Sequence, residues 1–171
     1  MGVIGKMALR QIREEGDEIL KKKSKDVEVI DEKIKELIQD MLETMHKYNG
    51  IGLAAVQVGI LKKVIVIDLY EEGKPPFILV NPCILKQEGE QTVEEGCLSF
   101  PNKFAKIVRP ERVTVKYLDE NGKEVTLEGK DLLAQAVAHE VDHLNGITFV
   151  EKMIPGTLEI VTEEDKKKEK I

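Results

Sequence analysis

The clearest helical pattern in the first third of the chain lies between Asp31 and Tyr48. Apolar residues recur there at spacings of three and four, so they share one stripe of a helix: Ile34, Leu37, Ile38, Met41, Leu42 and Met45. Asp31 suits the N-cap, because its carboxylate can accept a backbone N–H of the first turn. Gly50 is expected to end the helix. The pattern therefore predicts a helix that packs one face on a core.

The region after this helix consists of short apolar and β-branched runs that are typical of strands. The predicted strands are Lys63 to Tyr70, Phe77 to Leu85, Phe104 to Val108, Arg112 to Leu118 and Glu124 to Leu127. Asn121-Gly122 separates the last two, and this dipeptide is a strong signal for a β-hairpin. We therefore expect at least one hairpin within a mixed or antiparallel sheet.

A second helix is predicted from about Asp131, as N-cap, to Leu144, with Gly146 at its end. Two stripes run along it. An apolar flank is formed by Leu133, Val137, Val141 and Leu144, and a separate stripe roughly 60° wide holds Leu132, Ala136, His139 and His143. One side would pack into the core while the other faces a site. We predict an α+β fold in which mixed or antiparallel sheets surround this central helix.

Composition and charge narrow the class of protein. The 171 residues, 42% apolar and 34% charged, fit one globular domain over residues 1–171, with a charged tail from about residue 162. That tail, Glu163 to Lys170, is expected to be a frayed helix or a solvated segment. A net charge of −6 and a pI near 5.3 argue against direct nucleic-acid binding. Without a signal sequence or a membrane span, we expect a cytoplasmic protein.

The sharpest local motif is His139-Glu140-Val141-Asp142-His143, which matches H-E-x-x-H. Histidines four residues apart project from one helix face toward a common metal ion. Glu140 lies about 100° around the helix from His139, so its carboxylate is expected beside the metal as a base rather than on it. The pattern favours a hydrolytic metal site. The alternative is a helix that carries these residues without such a role.

A catalytic site of this kind needs a third protein ligand and an open position for water. In one protease class the third ligand is a histidine six residues after the second, but Phe149 stands there. In another class it is a downstream glutamate, for which the chain offers only Glu159, Glu163 and Glu164 in a short charged segment. Neither class fits well, so the ligand is sought upstream.

The upstream candidates are Cys97, Cys83 and His46. Cys97 is favoured because Gly96 and Pro101 beside it indicate a shaped loop rather than a plain strand. Cys83 is interpreted as a small buried apolar residue and His46 as a surface residue. Two cysteines are too few for a disulfide framework, so a thiol would be available as a ligand in a reducing compartment.

Three segments together resemble the signature motifs of peptide deformylases. They are Gly50-Ile51-Gly52-Leu53-Ala54-Ala55-Val56-Gln57-Val58-Gly59, Glu95-Gly96-Cys97-Leu98-Ser99, and Gln135 through Gly146. Their order and spacing fit the family, and the resemblance covers most of the chain. It implies a metal-dependent hydrolase that removes the N-terminal formyl group from formylmethionyl peptides of nascent proteins and releases formate.

The resemblance also implies the metal site. Cys97, His139 and His143 would bind the metal with water, the nucleophile, as fourth ligand, and Glu140 would be the general acid and base. The resemblance implies that Fe(II) gives full activity and that Zn(II), Ni(II) or Co(II) can replace it. Thiolate sulfur suits Fe(II) as well as zinc. We therefore expect Fe(II) first and zinc in a purified sample.

Substrate contacts follow from the same resemblance. The side-chain amide of Gln57 and the backbone N–H of Leu98 would form an oxyanion hole. Ile51, Leu132 and Ala136 would form apolar walls for the methionine side chain, and the backbone of Ile51 and Gly96 would pair with an extended peptide. Gly52 completes the predicted substrate-binding residues. For the apolar members, ordinary core packing is the alternative. Backbone pairing would tolerate varied residues after methionine.

The chain departs from the family pattern at two positions. Val56 stands where proline is common, which should loosen the loop entering Gln57. Phe104 stands where some members carry an arginine seven residues after the metal cysteine, which puts substrate positioning by that arginine in doubt. Asp142 is expected to pair with Arg109 or to face solvent.

The sequence also bears on one further partner, the ribosome, and on two rival functions. Transient ribosome association through the short charged C-terminus is a hypothesis only. An H-E-x-x-H peptidase is one rival function, disfavoured by the missing third histidine. A non-catalytic metal-stabilised binding module is another, and it would need a closed four-ligand site with no use for Glu140 or Gln57.

Overall fold

The computed structural model describes residues 8–162. Its helices are α1 (Glu32–Lys47), α2 (Leu132–Leu144) and α3 (Phe149–Lys152), with 3-10 turns at Glu18–Lys21 and Ala55–Val58. Its strands are β1 (Gly52–Ala54), β2 (Val64–Ile67), β3 (Phe77–Glu88), β4 (Gln91–Cys97), β5 (Phe100–Arg109), β6 (Arg112–Leu118), β7 (Glu124–Lys130) and β8 (Glu159–Ile160). The predicted tail from Glu163 to Lys170 lies outside these residues. Within residues 8–162, no helix has the length and apolar character needed to cross a bilayer.

The strands form two antiparallel sheets. One has the order β1-β2-β3-β6-β7 and the other the order β4-β5-β8. Helix α2 contacts strands of both sheets, including β1, β2, β6, β7 and β5. The predicted α+β fold, with antiparallel sheets around the helix that carries H-E-x-x-H, is thus confirmed.

Strand β2 shows why the five-stranded sheet carries a helix on each face. All four of its residues, Val64–Ile67, are buried. Successive side chains of a strand point to opposite faces. Ile65 and Ile67 accordingly pack in the core cluster that contains the apolar flank of α2, while Val64 and Val66 pack in the cluster that contains the stripe of α1. A continuous apolar run, rather than an alternating one, is the sequence pattern of such a strand.

The ends of both long helices are closed by the same backbone motif. In α1 the left-handed residue is Asn49, at φ 55°, and the Gly50 N–H donates to the Met45 carbonyl at 3.0 Å. Gly50 was expected to end α1, but the helix stops at Lys47. Gly50 lies two residues after the C-cap Tyr48 and closes the capping motif. In α2 the left-handed residue is Gly146, at φ 74°, as predicted.

The two predicted N-caps have different outcomes. Asp31 accepts the backbone N–H of Ile34 at 3.0 Å, which confirms its role. Asp131 stands at the N-cap position of α2, as predicted, but its side chain makes no capping hydrogen bond. Asp131 has φ 54° and ψ −121°, whereas an N-cap residue normally has extended backbone that directs its side chain to the first N–H groups.

The strands were predicted with uneven success. Strand β6 has the predicted bounds, and β3, β5 and β7 extend beyond them. The hairpin at Asn121-Gly122 is confirmed, with Leu118 paired to Glu124. Strands β1, β4 and β8 and helix α3 were missed. The prediction of a loop around Cys97 needs correction, because this residue ends β4 and a two-residue turn leads directly into β5 at Phe100.

Candidate metal centre

Three buried side chains converge beside α2. The ligand atoms of Cys97, His139 and His143 all lie within 4.8 Å of one another. Cys97 Sγ is 3.3 Å from His143 Nε2, and the two histidine Nε2 atoms are 3.2 Å apart. Tetrahedral coordination with metal–nitrogen bonds of about 2.0–2.1 Å and a metal–sulfur bond of about 2.3 Å would separate these atoms by about 3.3–3.6 Å. Two of the three separations are therefore close to those of ligands of one cation, and the third, from Cys97 Sγ to the His139 ligand nitrogen, is within 4.8 Å.

Two different elements deliver these ligands. His139 and His143 are one helical turn apart on α2, so their rings project from the same face. Cys97 comes from the end of β4, which passes directly over the buried ring of Phe104. A Cβ atom at Gly96 would clash with that ring, so the strand can take this path only with glycine there. Phe104 is thus a core residue below Gly96.

The other two candidate ligands do not join this centre. Cys83 was predicted to be buried, but it is exposed on β3, paired with Lys116 of β6. The prediction failed because successive side chains of β3 point to opposite faces, so Pro82 points inward and Cys83 outward. His46 is exposed and bonds to Asp68. Among residues 8–162, Cys97, His139 and His143 form the one cluster with the composition and spacing of a metal site.

Glu140 lies beside the three ligand atoms and is completely buried. Its Oε2 is 4.0 Å from His139 Nε2, and neither carboxylate oxygen has a hydrogen-bond partner in the described residues. Buried polar atoms of native proteins are nearly always satisfied, so such atoms indicate a ligand or a water beside them. Burial raises the pKa of Glu140 to about 7, although the charge of His139 acts in the opposite direction. This arrangement fits a cation and its water.

A glycine provides the space for this carboxylate. A Cβ atom at Gly52 of β1 would lie 2.6 Å from Glu140 Oε2. A larger residue at position 52 would clash with this carboxylate, and one of the two groups would have to move. Gly52, predicted here as a substrate-binding residue, thus lies in direct contact with the predicted general base.

Glu95 is a buried residue of this centre that the sequence motifs did not single out. It is fully buried on β4 and bonds to His139 Nδ1, the ring nitrogen opposite the ligand atom. Its carboxylate also accepts hydrogen bonds from Arg109 Nε at 3.0 Å, Arg109 Nη2 at 2.6 Å and Gln135 Nε2 at 3.1 Å. A carboxylate on the far nitrogen fixes the tautomer and ring orientation of a metal-binding histidine. Glu95 therefore fixes the direction of His139 Nε2, toward the ligand atoms of Cys97 and His143.

The network continues to the protein surface. Arg109 is itself buried, and its Nη1 donates to Asp142 Oδ2 at 2.7 Å, which confirms the predicted pair. Asp142 Oδ1 accepts from Lys152 Nζ of α3 at 3.0 Å. Asp142 is the residue before His143, so this chain of ion pairs ties the metal helix to β4, β5 and α3.

Burial and neighbouring charges shift the pKa values of three buried groups at this centre in different directions. Burial alone would raise the pKa of Glu95, but the charge of His139 and hydrogen bonds from His139 and Arg109 outweigh it and hold that pKa far below its usual range. Burial alone would lower the pKa of His139, but the carboxylates of Glu95 and Glu140 raise it. Burial and the charge of His139 lower the pKa of His143, which keeps that imidazole in the neutral, metal-binding form.

Replacing Arg109 by methionine should strongly destabilise the fold. The substitution leaves the fully buried carboxylate of Glu95 and the partly buried carboxylate of Asp142 without their shared guanidinium, and breaking a buried ion pair typically costs about 3–5 kcal/mol. Urea unfolding of the two proteins measures it. Lys152→Met is the matched control, because Lys152 is half exposed and its pair with Asp142 should contribute less than about 1 kcal/mol. Equal losses in the two variants would contradict a buried network.

The predicted oxyanion residues lie at the same centre. Gln57 is fully buried, and its Oε1 accepts the Ala54 N–H at 2.9 Å. This contact orients the amide so that Nε2 faces Ser99 Oγ at 3.0 Å and Cys97 Sγ at 3.5 Å. Leu98 is buried in the turn after β4. The donor group of Gln57 is therefore held toward the ligand sulfur, and Ser99 is a further contact that the sequence pattern did not single out.

The predicted substrate residues lie around this centre. Ile51, Ala136 and the partly buried Leu132 share one apolar cluster. Strand β1 is at the edge of one sheet and β4 at the edge of the other, and both edges reach the site, through Gly52 and Cys97. Val56 is fully buried in the same cluster. Unpaired strand edges can add an extended peptide by backbone hydrogen bonds.

Comparisons with known proteins agree with one another. The sequence model of the polypeptide deformylase family matches residues 9–158. A peptide deformylase of Acetivibrio thermocellus is 56% identical over 148 residues, 86% of this chain and 85% of that protein. The crystal structure of a peptide deformylase from Legionella pneumophila superimposes with a TM-score of 0.83 at 44% identity, over 86% of this chain and 88% of that one. A peptide deformylase from Synechococcus elongatus, in complex with actinonin, gives 0.84 at 43% identity, over 86% and 82%.

Proposed function

The chain belongs to the polypeptide deformylase family, whose enzymes remove the formyl group from nascent peptides, and on this basis we propose how its residues carry out that reaction. The observation that carries the proposal is the convergence of Cys97 Sγ with His139 and His143 Nε2 beside the unpartnered carboxylate of Glu140. A metal cofactor belongs to this family and fits these donors. The roles below are assigned to the residues of this chain.

Cys97, His139 and His143 would hold one divalent cation. When bound, such a cation lowers the pKa of a water from about 15.7 toward about 7, which makes a nucleophile available at neutral pH. One thiolate and two neutral imidazoles suit Fe(II) and zinc alike. We propose Fe(II) as the cation of the active enzyme, with Zn(II), Ni(II) or Co(II) as substitutes.

Glu140 transfers the protons. Its oxygens have no partner among the described residues and lie on the ligand side of His139, so they are available to a water at the site. Glu140 takes the proton of the attacking water and then gives a proton to the departing amine. Formate and a peptide with a free N-terminal methionine result. Gly52 gives the carboxylate the room to occupy this position.

Gln57 and Leu98 stabilise the charge that develops on the formyl oxygen. Both belong to segments that border the ligand sulfur, since Gln57 Nε2 is 3.5 Å from Cys97 Sγ and Leu98 follows Cys97 directly. A donor that is already oriented before the reaction is most effective in a buried site. The contact of Gln57 Oε1 with the Ala54 N–H supplies that orientation.

Replacing Gln57 by leucine should lower kcat by roughly 100- to 1000-fold, the usual consequence of losing one oxyanion donor. Steady-state formate release measures this effect. Ser99→Ala is the matched control, because it removes a hydrogen-bond partner of the same amide but leaves the donor in place. A change confined to KM, or an equal loss in the two variants, would speak against the oxyanion role.

The methionine side chain would lie against Ile51, Leu132 and Ala136, which share an apolar cluster next to the centre. The rest of the peptide would extend between the edges of β1 and β4 and pair with the backbone of Ile51 and Gly96. Backbone pairing tolerates varied side chains after methionine, as an enzyme that processes many nascent proteins requires. Ribosome association through the C-terminal tail stays a prediction, since that segment lies outside the described residues.

The test is formate release by anaerobically prepared Fe(II) protein acting on formyl-Met-Ala. Formate and free methionyl peptide should appear in equal amounts, while acetyl-Met-Ala remains intact. Cleavage of the Met–Ala bond without formate would support the rival peptidase. Binding of metal without any hydrolysis would support the rival binding module, and either result would refute the proposal.

A further inference from the structure

Three residues outside the proposed catalytic machinery hold the segment that precedes β1. The phenol of Tyr70 donates a hydrogen bond to the Gly50 carbonyl at 2.7 Å. Asp68 Oδ1 accepts the backbone N–H of Tyr70 at 2.8 Å, and Asp68 Oδ2 lies 2.8 Å from His46 Nε2. The rings of His46 and Tyr70 are 5.8 Å apart. We call Tyr70, Asp68 and His46 the tyrosine clip.

The backbone of the clip is unusual. Tyr70 has φ 55°, in the left-handed region that bulky residues seldom adopt. Such a conformation persists only where surrounding contacts enforce it, and it is commonly found at functional sites. Here the Asp68 carboxylate holds the Tyr70 N–H, and the phenol is anchored at Gly50. The strained residue therefore spans the distance between the end of β2 and the turn after α1.

The clip acts on a short segment with two close contacts to the proposed site. A Cβ atom at Gly50 would lie 2.7 Å from Leu98 Cδ1, and one at Gly52 would lie 2.6 Å from Glu140 Oε2. Ile51 lies between these contacts, and its carbonyl accepts the Asp68 N–H at 2.8 Å. A displacement of this segment would thus change its contacts with both Leu98 and Glu140.

Peptide geometry links Tyr70 to the backbone of Ile51. The peptide unit is planar and trans, so the Gly50 C=O and the Ile51 N–H point in opposite directions within one plane. A phenol that fixes the Gly50 carbonyl therefore also fixes the direction of the Ile51 N–H. The Asp68 N–H fixes the Ile51 carbonyl at the next peptide unit.

We propose that Tyr70 is a positioning residue for the substrate: by holding the Gly50 carbonyl, it aligns the Ile51 backbone with the residues that follow formylmethionine. This inference rests on the proposed function, in which an extended peptide pairs with Ile51. Tyr70 contributes nothing to formyl transfer to water itself. Its effect should therefore depend on the length of the peptide and not on the chemistry at its N-terminus.

The test compares Tyr70→Phe with wild type on two substrates, formyl-Met-Ala-Ser and formylmethionine amide. On the tripeptide, kcat/KM should fall roughly threefold to tenfold, as expected for one lost hydrogen bond, and the change should lie in KM. On the amide, which lacks the following residues, it should change less than about twofold. Tyr48→Phe is the matched control, since Tyr48 is 47% exposed against 48% for Tyr70 and its phenol has no hydrogen-bond partner in the described chain. It should leave both rates unchanged.

Equal losses on the two substrates, a loss confined to kcat, or no loss would overturn the proposal. Amide hydrogen exchange gives a second readout that does not need turnover. Tyr70→Phe should accelerate exchange of the Asp68 N–H, which is bonded to the Ile51 carbonyl, by roughly threefold to tenfold, and Tyr48→Phe should not. Unchanged exchange in an enzyme that still releases formate would refute the role of Tyr70 and leave the proposed function intact. If wild type releases no formate from either substrate, the proposed function fails, and the role of Tyr70 fails with it.

Discussion

Replacing Glu140 by glutamine is expected to lower kcat for formyl-Met-Ala by roughly 100- to 10,000-fold, the range in which a positioned general acid and base contributes. Glutamine keeps the shape of the side chain but cannot accept and return a proton. The loss should appear in kcat and kcat/KM together, because the group acts in the transition state rather than in substrate binding. Steady-state formate release from metal-loaded protein measures it.

The same variant should not be less stable than wild type. Glu140 is completely buried and its carboxylate has no hydrogen-bond partner in the described residues, so the neutral amide removes a buried charge rather than a bond. Metal content should also be unchanged, because Glu140 is not among the converging ligand atoms. Glu36→Gln, on the exposed side of α1, controls for loss of a carboxylate elsewhere. A Glu140→Gln enzyme that retained more than a tenth of the wild-type rate would contradict the assigned role.

Replacing Cys97 by serine is expected to abolish both metal binding and activity. A serine hydroxyl remains protonated at neutral pH and is a poor replacement for a thiolate, which leaves only His139 and His143 as effective ligands. Loss of a residue that merely supports a ligand costs roughly 10- to 100-fold in metal affinity, so loss of the ligand itself should exceed that range. Metal content after dialysis and formate release measure the two effects.

Cys83→Ser is the matched control for this substitution. Cys83 is exposed on β3 and does not contribute to the cluster, so its replacement should leave metal content and rate as in wild type. Comparing metal content and rate in Cys97→Ser and Cys83→Ser separates the loss of a metal ligand from the general effect of removing a thiol. One cation per chain and a normal rate in Cys97→Ser would show that the metal is held elsewhere.

The sequence predicted the parts of the site that depend on local spacing. His139 and His143 are four residues apart on an amphipathic helix, so the helical period alone brings their rings together. The third ligand could not be chosen in this way. Cys97 reaches the histidines through the β4–β5 hairpin, and residue spacing left Cys83 and His46 open beside it. The resemblance to a family, carried by three motifs, favoured the residue that the fold brings to the histidines.

Glu95 shows why the rest was missed. An acidic residue next to Glu94 is typical of a solvated surface, because a buried carboxylate is unfavourable unless it is paired. Its partners Arg109 and Gln135 are distant in the chain, so only the folded structure shows that Glu95 is buried among donors. The prediction that Cys83 is buried was wrong, and the missing capping bond of Asp131 was not foreseen, because the face of a strand and the sign of φ both depend on tertiary packing rather than on residue type.

X-ray absorption at the iron edge of anaerobically loaded protein tests the central claim most directly. One sulfur and two imidazole nitrogens should surround each cation, at about 2.3 Å and about 2.0–2.1 Å, with an oxygen donor of solvent completing the shell. The sulfur contribution should disappear in Cys97→Ser and persist in Cys83→Ser. A shell without sulfur, or one closed by a fourth protein side chain, would contradict the account.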